Sequence, residues 1–197
     1  MEDKMTKIVI LASGRGSNAE AILKSVRDGI LQNTCQVLAV VTNNPEAGVL
    51  GIATEFGVRT FVLTSVGKRK ATYNAQLLAL LTGLEPDFVI LAGYMKIIPQ
   101  KIVDSFPDRI VNIHPADTAE HQGLGGYEWA FRNGLTTTRI TVHLVDYGMD
   151  TGRVLGKCEV DLNGCGTLEE VERRGLTWEH RFFSEVLLGL FRDKQRG

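Results

Sequence analysis

Short apolar runs alternate with segments of helical periodicity through the first half of the chain. β-branched apolar runs cover residues 7–13, 36–43, 59–63 and 88–93, and amphipathic segments cover residues 18–31, 47–56 and 70–81. Buried parallel strands give continuous apolar runs, and the helices that connect them cover both faces of the sheet. This half therefore predicts three strand-helix-strand units with right-handed crossovers, as in a Rossmann-like sheet.

The second half keeps the apolar runs but has fewer helices between them. Strand-like runs cover residues 109–114, 137–146 and 153–162, with short helices expected over 98–105 and 126–133. The last two runs are separated by a tight Met-Asp-Thr-Gly turn, which predicts an antiparallel C-terminal hairpin. A long amphipathic helix is expected over residues 167–192. The whole pattern predicts a single α/β domain over residues 1–197, with a mainly parallel sheet of about seven strands.

Composition narrows the class of protein without changing this fold. The chain has 197 residues, of which 44% are hydrophobic, and its 22 Lys and Arg nearly balance its 23 Asp and Glu. A net charge of -1 provides no electrostatic footprint for nucleic acid or an anionic membrane. No apolar segment approaches the ~20 residues of a membrane span, and the N-terminus lacks a signal core. We therefore expect a cytoplasmic protein with small-molecule substrates and no nucleic-acid or membrane partner; a homodimer is the candidate assembly, and the sequence leaves the oligomeric state open.

Cysteine and histidine spacing gives no sign of a disulfide framework or a metal site. The three cysteines are odd in number and form no CxxC pair. A metal site would have to combine His114, His121, His143 and Asp150, whose spacings match no metal signature. We therefore expect no metal cofactor.

A glycine-rich turn, SGRGSN at 13–18, joins the first predicted strand to the first helix. Backbone N–H groups and a helix N-terminus converge there, an arrangement that favours an anion. A dinucleotide fingerprint would need an acidic residue about twenty positions further on, where Asn43 and Asn44 stand instead. The turn therefore indicates a monophosphate, with a Rossmann oxidoreductase and a ligand-free tight turn as alternatives.

The most informative local motif is IVNIHP at 110–115, an apolar strand that ends in polar residues. The carboxyl ends of strands in an open α/β sheet face the ligand crevice. Because side chains alternate along a strand, Asn112 and His114 are predicted to share one face. An amide and an imidazole would then point into one site, although a histidine satisfied by a core hydrogen bond is the structural alternative.

Candidate partners for this pair follow the next strand. Asp150 lies in the turn DYGMDTG at 146–152, and spacing alone does not join it to His114. Ordinary turn chemistry explains an Asp before Thr-Gly equally well, and Asp146 is an equal candidate. His121, in a Gly-flanked loop, and His143, in a strand, are weaker candidates.

Five motifs in order resemble the folate-dependent formyltransferase family, and in particular its phosphoribosylglycinamide formyltransferase (glycinamide ribonucleotide transformylase) members. They are SGRGSN at 13–18, LAGYMKII at 91–98, IVNIHP at 110–115, TVHLVDYGMDTG at 141–152 and WEH at 178–180. The match covers nearly the whole chain. It implies an enzyme of purine biosynthesis that transfers a formyl group from 10-formyltetrahydrofolate to the amine of glycinamide ribonucleotide, without a metal.

The resemblance also implies roles for individual residues. Asn112 and a protonated His114 would stabilise an oxyanion, while Asp150 would raise the pKa of His114 and relay protons. The implied ribonucleotide-binding residues are Gly16, Ser17, Asn18, Lys70 and Glu179, the last holding the ribose hydroxyls. The implied folate-binding residues are Met95, Lys96, Ile98, Asp146, Tyr147, Gly148 and Met149.

One segment departs from the family pattern. After NIHP the family continues with Ser-Leu-Leu-Pro, whereas residues 116–124 here read ADTAEHQGL. Polar residues thus replace apolar bulk beside the predicted site, and the acceptor amine stays open. The alternatives are a related formyltransferase or formyltetrahydrofolate hydrolase acting on another acceptor, and a non-catalytic folate or nucleotide sensor. The tRNA enzyme carries a basic C-terminal domain and the hydrolase an N-terminal regulatory domain, and the 197 residues of this sequence include neither pattern, so we expect a small acceptor.

Overall fold

The computed structural model describes residues 5–64 and 66–196 of the chain. Its strands are β1 (Thr6–Ala12), β2 (Cys35–Thr42), β3 (Thr60–Val62), β4 (Phe88–Leu91), β5 (Ile110–His114), β6 (Thr137–Leu144) and β7 (Val154–Asp161). Its helices are α1 (Ser17–Asp28), α2 (Val49–Glu55), α3 (Lys70–Leu84), α4 (Gln100–Ser105), α5 (Gly126–Arg132) and α6 (Leu168–Arg196). The strands form one sheet in the order β3-β2-β1-β4-β5-β6-β7.

The first five strands are parallel, as the apolar runs predicted. β1 lies between β2 and β4, and residues 8–12 of its apolar run are fully buried. One apolar cluster packs α1, α2 and α6 against one face of the sheet, and a second packs α3 and α4 against the other. Because both faces are covered, the strands need no polar side, which explains their continuous apolar sequences. The prediction of a Rossmann-like sheet with helices on both faces is confirmed.

Among the helix ends that differ from the predicted ones, those of α1 and α3 have local reasons. α1 stops at Asp28, not at residue 31, because Gly29 takes an extended backbone and the chain then turns into β2. α3 continues past residue 81 to Leu84 and ends at Glu85, which adopts a left-handed conformation with φ 49°. Such a residue after the last turn is a common helix stop.

The C-terminal part of the sheet is antiparallel. β6 pairs antiparallel with β5 and with β7, so the predicted hairpin is confirmed. The predicted tight turn between its strands is wrong, because loop 145–153 connects them. The pairing ends where the Leu144 N–H bonds to the Arg153 carbonyl at 2.9 Å. This loop carries Asp150 to the end of β5.

No helix within the described ranges is long and apolar enough to cross a membrane. The longest, α6, is amphipathic, with Phe183, Leu187 and Phe191 fully buried against the sheet. These residues recur at a spacing of four, so they form one stripe along the helix. α6 therefore covers the same face of the sheet as α1.

Candidate active site

Two polar side chains leave the same face of β5. Val111 and Ile113 belong to the apolar cluster that contains α1 and α6, so the alternate residues Asn112 and His114 point to the opposite face. On the neighbouring strand, His143 pairs with Asn112 across the β5–β6 ladder. Its Nε2 atom lies 3.2 Å from the Asn112 amide nitrogen. The predicted shared face is confirmed, and His143 joins it.

Asp150 completes this group from loop 145–153. Its Oδ1 atom lies 3.4 Å from both the Asn112 amide nitrogen and His143 Nε2, and its Oδ2 atom lies 3.5 Å from His114 Nδ1. Asp150 adopts a left-handed backbone with φ 55°, which Asp tolerates better than most residues. One carboxylate therefore faces an amide and two imidazoles, an association that spacing alone did not predict.

The environment of His114 favours the neutral imidazole. The side chain is almost fully buried, and its Nε2 lies 2.9 Å from the His121 carbonyl, so Nε2 carries the proton and donates it. Burial lowers the pKa of His114, and the opposing effect of the Asp150 charge does not restore it. The Asp150 charge acts in the expected direction, but desolvation outweighs it, so the pKa of His114 in the free protein is lowered overall.

Asp150 remains ionised. Burial alone would raise its pKa, but the hydrogen bond with His143 and the 2.8 Å bond from the Gly123 N–H lower it below the ordinary value. Asp146, the equal candidate in the sequence, makes different contacts. Its carboxylate accepts hydrogen bonds from the Gly148 N–H and the Thr151 hydroxyl and so shapes the loop. Tertiary structure thus separates the two acids that the sequence left equivalent.

The glycine-rich turn precedes α1 as predicted. Gly16 caps the helix in a left-handed conformation with φ 89°, and an added Cβ would lie 2.7 Å from Val49 side-chain atoms. Only glycine fits there. Among the residues that the structure describes, no side chain caps α1, so the first N–H groups of Ser17 and Asn18 are left for another acceptor.

Ser13 links this turn to two other loops at the same edge of the sheet. Its hydroxyl donates to Asn43 Oδ1 at 2.5 Å and accepts the Met95 N–H at 2.8 Å. Asn43 is thus committed to Ser13 at the position where a dinucleotide site would use a carboxylate on a ribose. This arrangement is evidence against the Rossmann oxidoreductase alternative.

Glu179 is buried beneath the turn, on the face of the sheet opposite His114. Its Oε2 accepts the Asn18 amide at 2.5 Å, and its Oε1 accepts the Tyr127 hydroxyl. Burial raises the pKa of Glu179, and the two neutral donors only partly oppose that effect. The Tyr127 ring fits because residue 175 is glycine, where an added Cβ would lie 2.2 Å from a ring carbon.

The other predicted binding residues lie on exposed surface, with one exception. Lys70 is the exposed first residue of α3, and Lys96 is also exposed. Met95, Tyr147 and Met149 are 62%, 70% and 53% exposed, whereas Ile98 is buried in the apolar cluster beside α4. Its neighbour Ile97 is 69% exposed instead.

Sequence reasoning did not find several residues of this region. Tyr127, Gly123 and Asp117 were not singled out, and His143 was ranked below Asp150. Alternation with Thr141 was a usable signal for His143, because it placed the side chain beside Asn112 once β6 was paired with β5. Nothing in the spacing of Tyr127 indicated a contact with Glu179. Within the described parts of the chain, no group of three or more His, Cys, Asp or Glu is arranged to hold a metal ion.

A Rossmann-like sheet with Asn112, His114 and Asp150 at a strand end defines an α/β protein equipped for hydrogen bonding and proton transfer. The chain belongs to the formyl transferase family, whose model matches residues 6–187. It is 31% identical to phosphoribosylglycinamide formyltransferase of Bacillus subtilis, over 98% of both chains. The solved phosphoribosylglycinamide formyltransferase of Streptococcus pneumoniae is similar, with a TM-score of 0.87 and 36% identity over 95% of this chain and 99% of that one.

A second solved structure shares the fold alone. The formyltetrahydrofolate deformylase of Pseudomonas syringae has a TM-score of 0.89 but only 20% identity, over 96% of this chain and 62% of that one. The fold is therefore common to proteins with different named activities, and the acceptor has to be argued from the site.

Proposed function

We propose that this protein transfers a formyl group from 10-formyltetrahydrofolate to the primary amine of glycinamide ribonucleotide, a step of purine biosynthesis. The observation that carries the proposal is the convergence of Asn112, His114 and Asp150 at the end of β5. It occurs in a chain similar over nearly its whole length to proteins named phosphoribosylglycinamide formyltransferase. A sensor has no need of all three groups together.

The chemistry requires one oxyanion site and one proton path. The amine nitrogen attacks the formyl carbon, so a carbon–nitrogen bond forms while the carbonyl oxygen becomes an oxyanion and the nitrogen becomes positive. The bond from the carbon to N10 then breaks, and N10 takes up a proton as the folate leaves. The Asn112 amide donates to the oxyanion, an effect worth about 3 to 4 kcal/mol in comparable acyl transfers.

His114 and Asp150 supply the proton path. The amine nitrogen loses its proton to the Asp150 carboxylate or to the free Nδ1 of His114, and that proton returns to N10. A neutral imidazole is suited to accept it, and the nearby oxyanion then raises the pKa of His114. His114 is thus neutral before the reaction and becomes the cation that stabilises the intermediate.

Each substrate has a proposed place around this group. In this proposal the ribonucleotide phosphate binds the N–H groups of Ser17 and Asn18 after Gly16, with Lys70 as a further phosphate-binding residue and Glu179 as the residue for the ribose hydroxyls. The folate lies against Met95, Lys96, Ile98 and the loop residues Asp146, Tyr147, Gly148 and Met149. Uncapped N–H groups and the exposure of Met95, Tyr147 and Met149 support this assignment.

We also infer a single formyltransferase domain over residues 1–197, supported by the continuous sheet, and a cytoplasmic location. Limited proteolysis and subcellular fractionation test these two statements.

The decisive experiment measures release of deformylated folate by absorbance. The purified full-length protein is mixed with 10-formyltetrahydrofolate, with and without glycinamide ribonucleotide. Release that depends on the ribonucleotide is the expected result. Release without it would replace the proposal with a hydrolase, and no release with both substrates would replace it with a sensor or a different acceptor.

Substitution of the central histidine tests the mechanism. We expect His114→Ala to lower kcat by roughly 10²- to 10⁴-fold, because it removes a proton carrier from the reacting atoms. The control is Asn163→Ala, which changes only a surface turn bonded to Asp161. Circular dichroism checks that both variants fold, and near-normal turnover of His114→Ala would refute its role.

A further inference from the structure

The loop of residues 116–125 is held by a buried acid at its start. The Asp117 side chain is 4% exposed and accepts hydrogen bonds from Lys157 Nζ at 2.5 Å and Arg139 Nη1 at 3.0 Å. It also accepts the Ala119 N–H at 3.0 Å. Arg139 lies on β6 and Lys157 on β7, so one carboxylate ties the loop to two strands.

The turn that begins at Asp117 positions the rest of the loop. The Asp117 carbonyl accepts the N–H groups of Glu120 and His121, both at 2.9 Å. The His121 ring stacks on Trp129 with centroids 5.1 Å apart. These contacts orient the His121 carbonyl, because the residue is constrained on both its backbone and its side chain.

The loop then contacts two of the three proposed catalytic groups through its backbone. The His121 carbonyl lies 2.9 Å from His114 Nε2, and the Gly123 N–H lies 2.8 Å from Asp150 Oδ2. A hydrogen bond at one ring nitrogen determines which tautomer of an imidazole is present. The loop therefore keeps the proton on Nε2 and leaves Nδ1 free towards Asp150.

We propose that Asp117 is a positioning residue for formyl transfer, which acts through loop 116–125 to set the tautomer of His114 and the orientation of Asp150. Its catalytic consequence rests on the proposed function, whereas the tautomer is a property of the free protein. Polar anchoring thus replaces the apolar run that the family has at this position.

Charge is what makes Asp117 suited to this role. Two cations hold its carboxylate, with Glu120 and Glu159 as the acids near Arg139. Burial raises the pKa of Asp117, but the bonds from Lys157, the Ala119 N–H and Arg139 lower it to about 2. The anchor is therefore ionised at every pH where the enzyme would work. An amide at position 117 keeps the shape but loses both ion pairs.

The direct test follows the histidine nitrogens by two-dimensional ¹⁵N NMR of the full-length protein. In the wild type, His114 is expected as the Nε2–H tautomer, with Asp150, His143 and His121 as the titratable groups that face it. Asp117→Asn should give a mixture of tautomers. Its His114 pKa should rise towards the ordinary value, because the ring loses part of its burial.

Two further variants make this test specific. Asp161→Asn removes the same charge from an exposed position on β7 and should leave the spectrum unchanged. If Asp117→Asn does not fold, Lys157→Gln removes only one ion pair and should move the signals in the same direction by less. An unchanged tautomer and titration in both the Asp117 and the Lys157 variant would overturn the proposal, whatever the activity of the protein.

Kinetics tests the catalytic consequence. Asp117→Asn should lower kcat by roughly 10- to 100-fold, the scale of losses from small misplacements, with KM for the ribonucleotide changed by less than about threefold. The acidic limb of its pH profile should move to higher pH. If Asp117→Asn lowered only the fraction of active enzyme and left the pH profile of its activity unchanged, Asp117 would only stabilise the fold. Wild-type protein without formyl transfer would refute the proposed function, and the NMR result would still stand separately.

Discussion

Two regions of the molecule each bury one carboxylic acid that links a loop or helix end to the C-terminal third of the chain. Asp117 is 3% exposed and contacts the cations Lys157 and Arg139, whereas Glu179 is 4% exposed and contacts the neutral Asn18 and Tyr127. The pKa of Asp117 falls to about 2, and the pKa of Glu179 rises. The pKa shifts are opposite because Asp117 has cationic partners, whereas Glu179 has only neutral donors to oppose a stronger desolvation.

The two regions also differ in what holds them in place: ion pairs at Asp117 and close packing at Glu179. Asp117 holds its loop by ion pairs whose cations reach the surface, so the carboxylate is compensated without complete desolvation of its partners. Glu179 depends on close packing of Tyr127 against Gly175. We expect the first region to respond to charge and pH and the second to respond to shape.

The largest expected loss of stability comes from overpacking the Tyr127 ring at position 175. Gly175→Ala places a Cβ about 2 Å from the Tyr127 ring and should lower the free energy of unfolding by about 3 kcal/mol, the upper end of overpacking costs. Urea denaturation measures it. Gly189→Ala is the matched control on the same helix, since its Cβ would meet nothing within 4 Å and should be neutral or slightly stabilising. Equal stability of the two variants would contradict the packing argument.

The next effect concerns pH, because the contributions of Asp117 and Glu179 to the free energy of unfolding should change with pH in opposite directions. The folded pKa of Asp117 lies below its ordinary 3.8, so its stabilisation is present above that pH and is lost as pH falls towards 2. The shift corresponds to about 1 to 2 kcal/mol after allowance for screening of the partly exposed cations. The folded pKa of Glu179 lies above its ordinary 4.5, so its stabilisation is present below that pH and is lost as pH rises.

Unfolding curves between pH 2 and pH 8 separate these slopes. The stability advantage of wild type over Asp117→Asn should shrink on acidification. The advantage over Glu179→Gln should shrink as pH rises above 4.5. If both stability differences changed with pH in the same direction, the charge of the partners would not determine the pKa shifts of the two acids.

The smallest effect is expected for Glu179→Gln near neutral pH. We expect a loss below about 1 kcal/mol, because the amide still accepts from Tyr127 and can donate to Asn18 Oδ1, a buried atom with no hydrogen-bond partner among the described residues. Glu179→Ala should cost more and mainly raise KM for the ribonucleotide. If Glu179→Gln lowers the free energy of unfolding as much as Glu179→Ala does, Glu179 is ionised in the folded protein. An unchanged KM in the Ala variant would remove Glu179 from the substrate site.

Much of the fold and part of the site could be predicted from sequence. The apolar runs identified all seven strands, since strands buried on both faces must be apolar throughout. Alternation placed Asn112 and His114 on one face, because the backbone of a strand leaves no other choice. The glycine-rich turn before α1 was likewise readable, as Gly16 occupies a conformation and a space that exclude other residues.

Tertiary structure alone decided which distant residues meet these predicted ones. Asp150 lies 38 positions after Asn112 and Tyr127 lies 52 before Glu179, and no periodicity relates such pairs. The state of His114 was also a tertiary property, since burial outweighed the Asp150 charge. Local sequence determines backbone conformation and side-chain direction within an element, whereas hydrogen-bond partners and desolvation depend on how the elements and loops pack together.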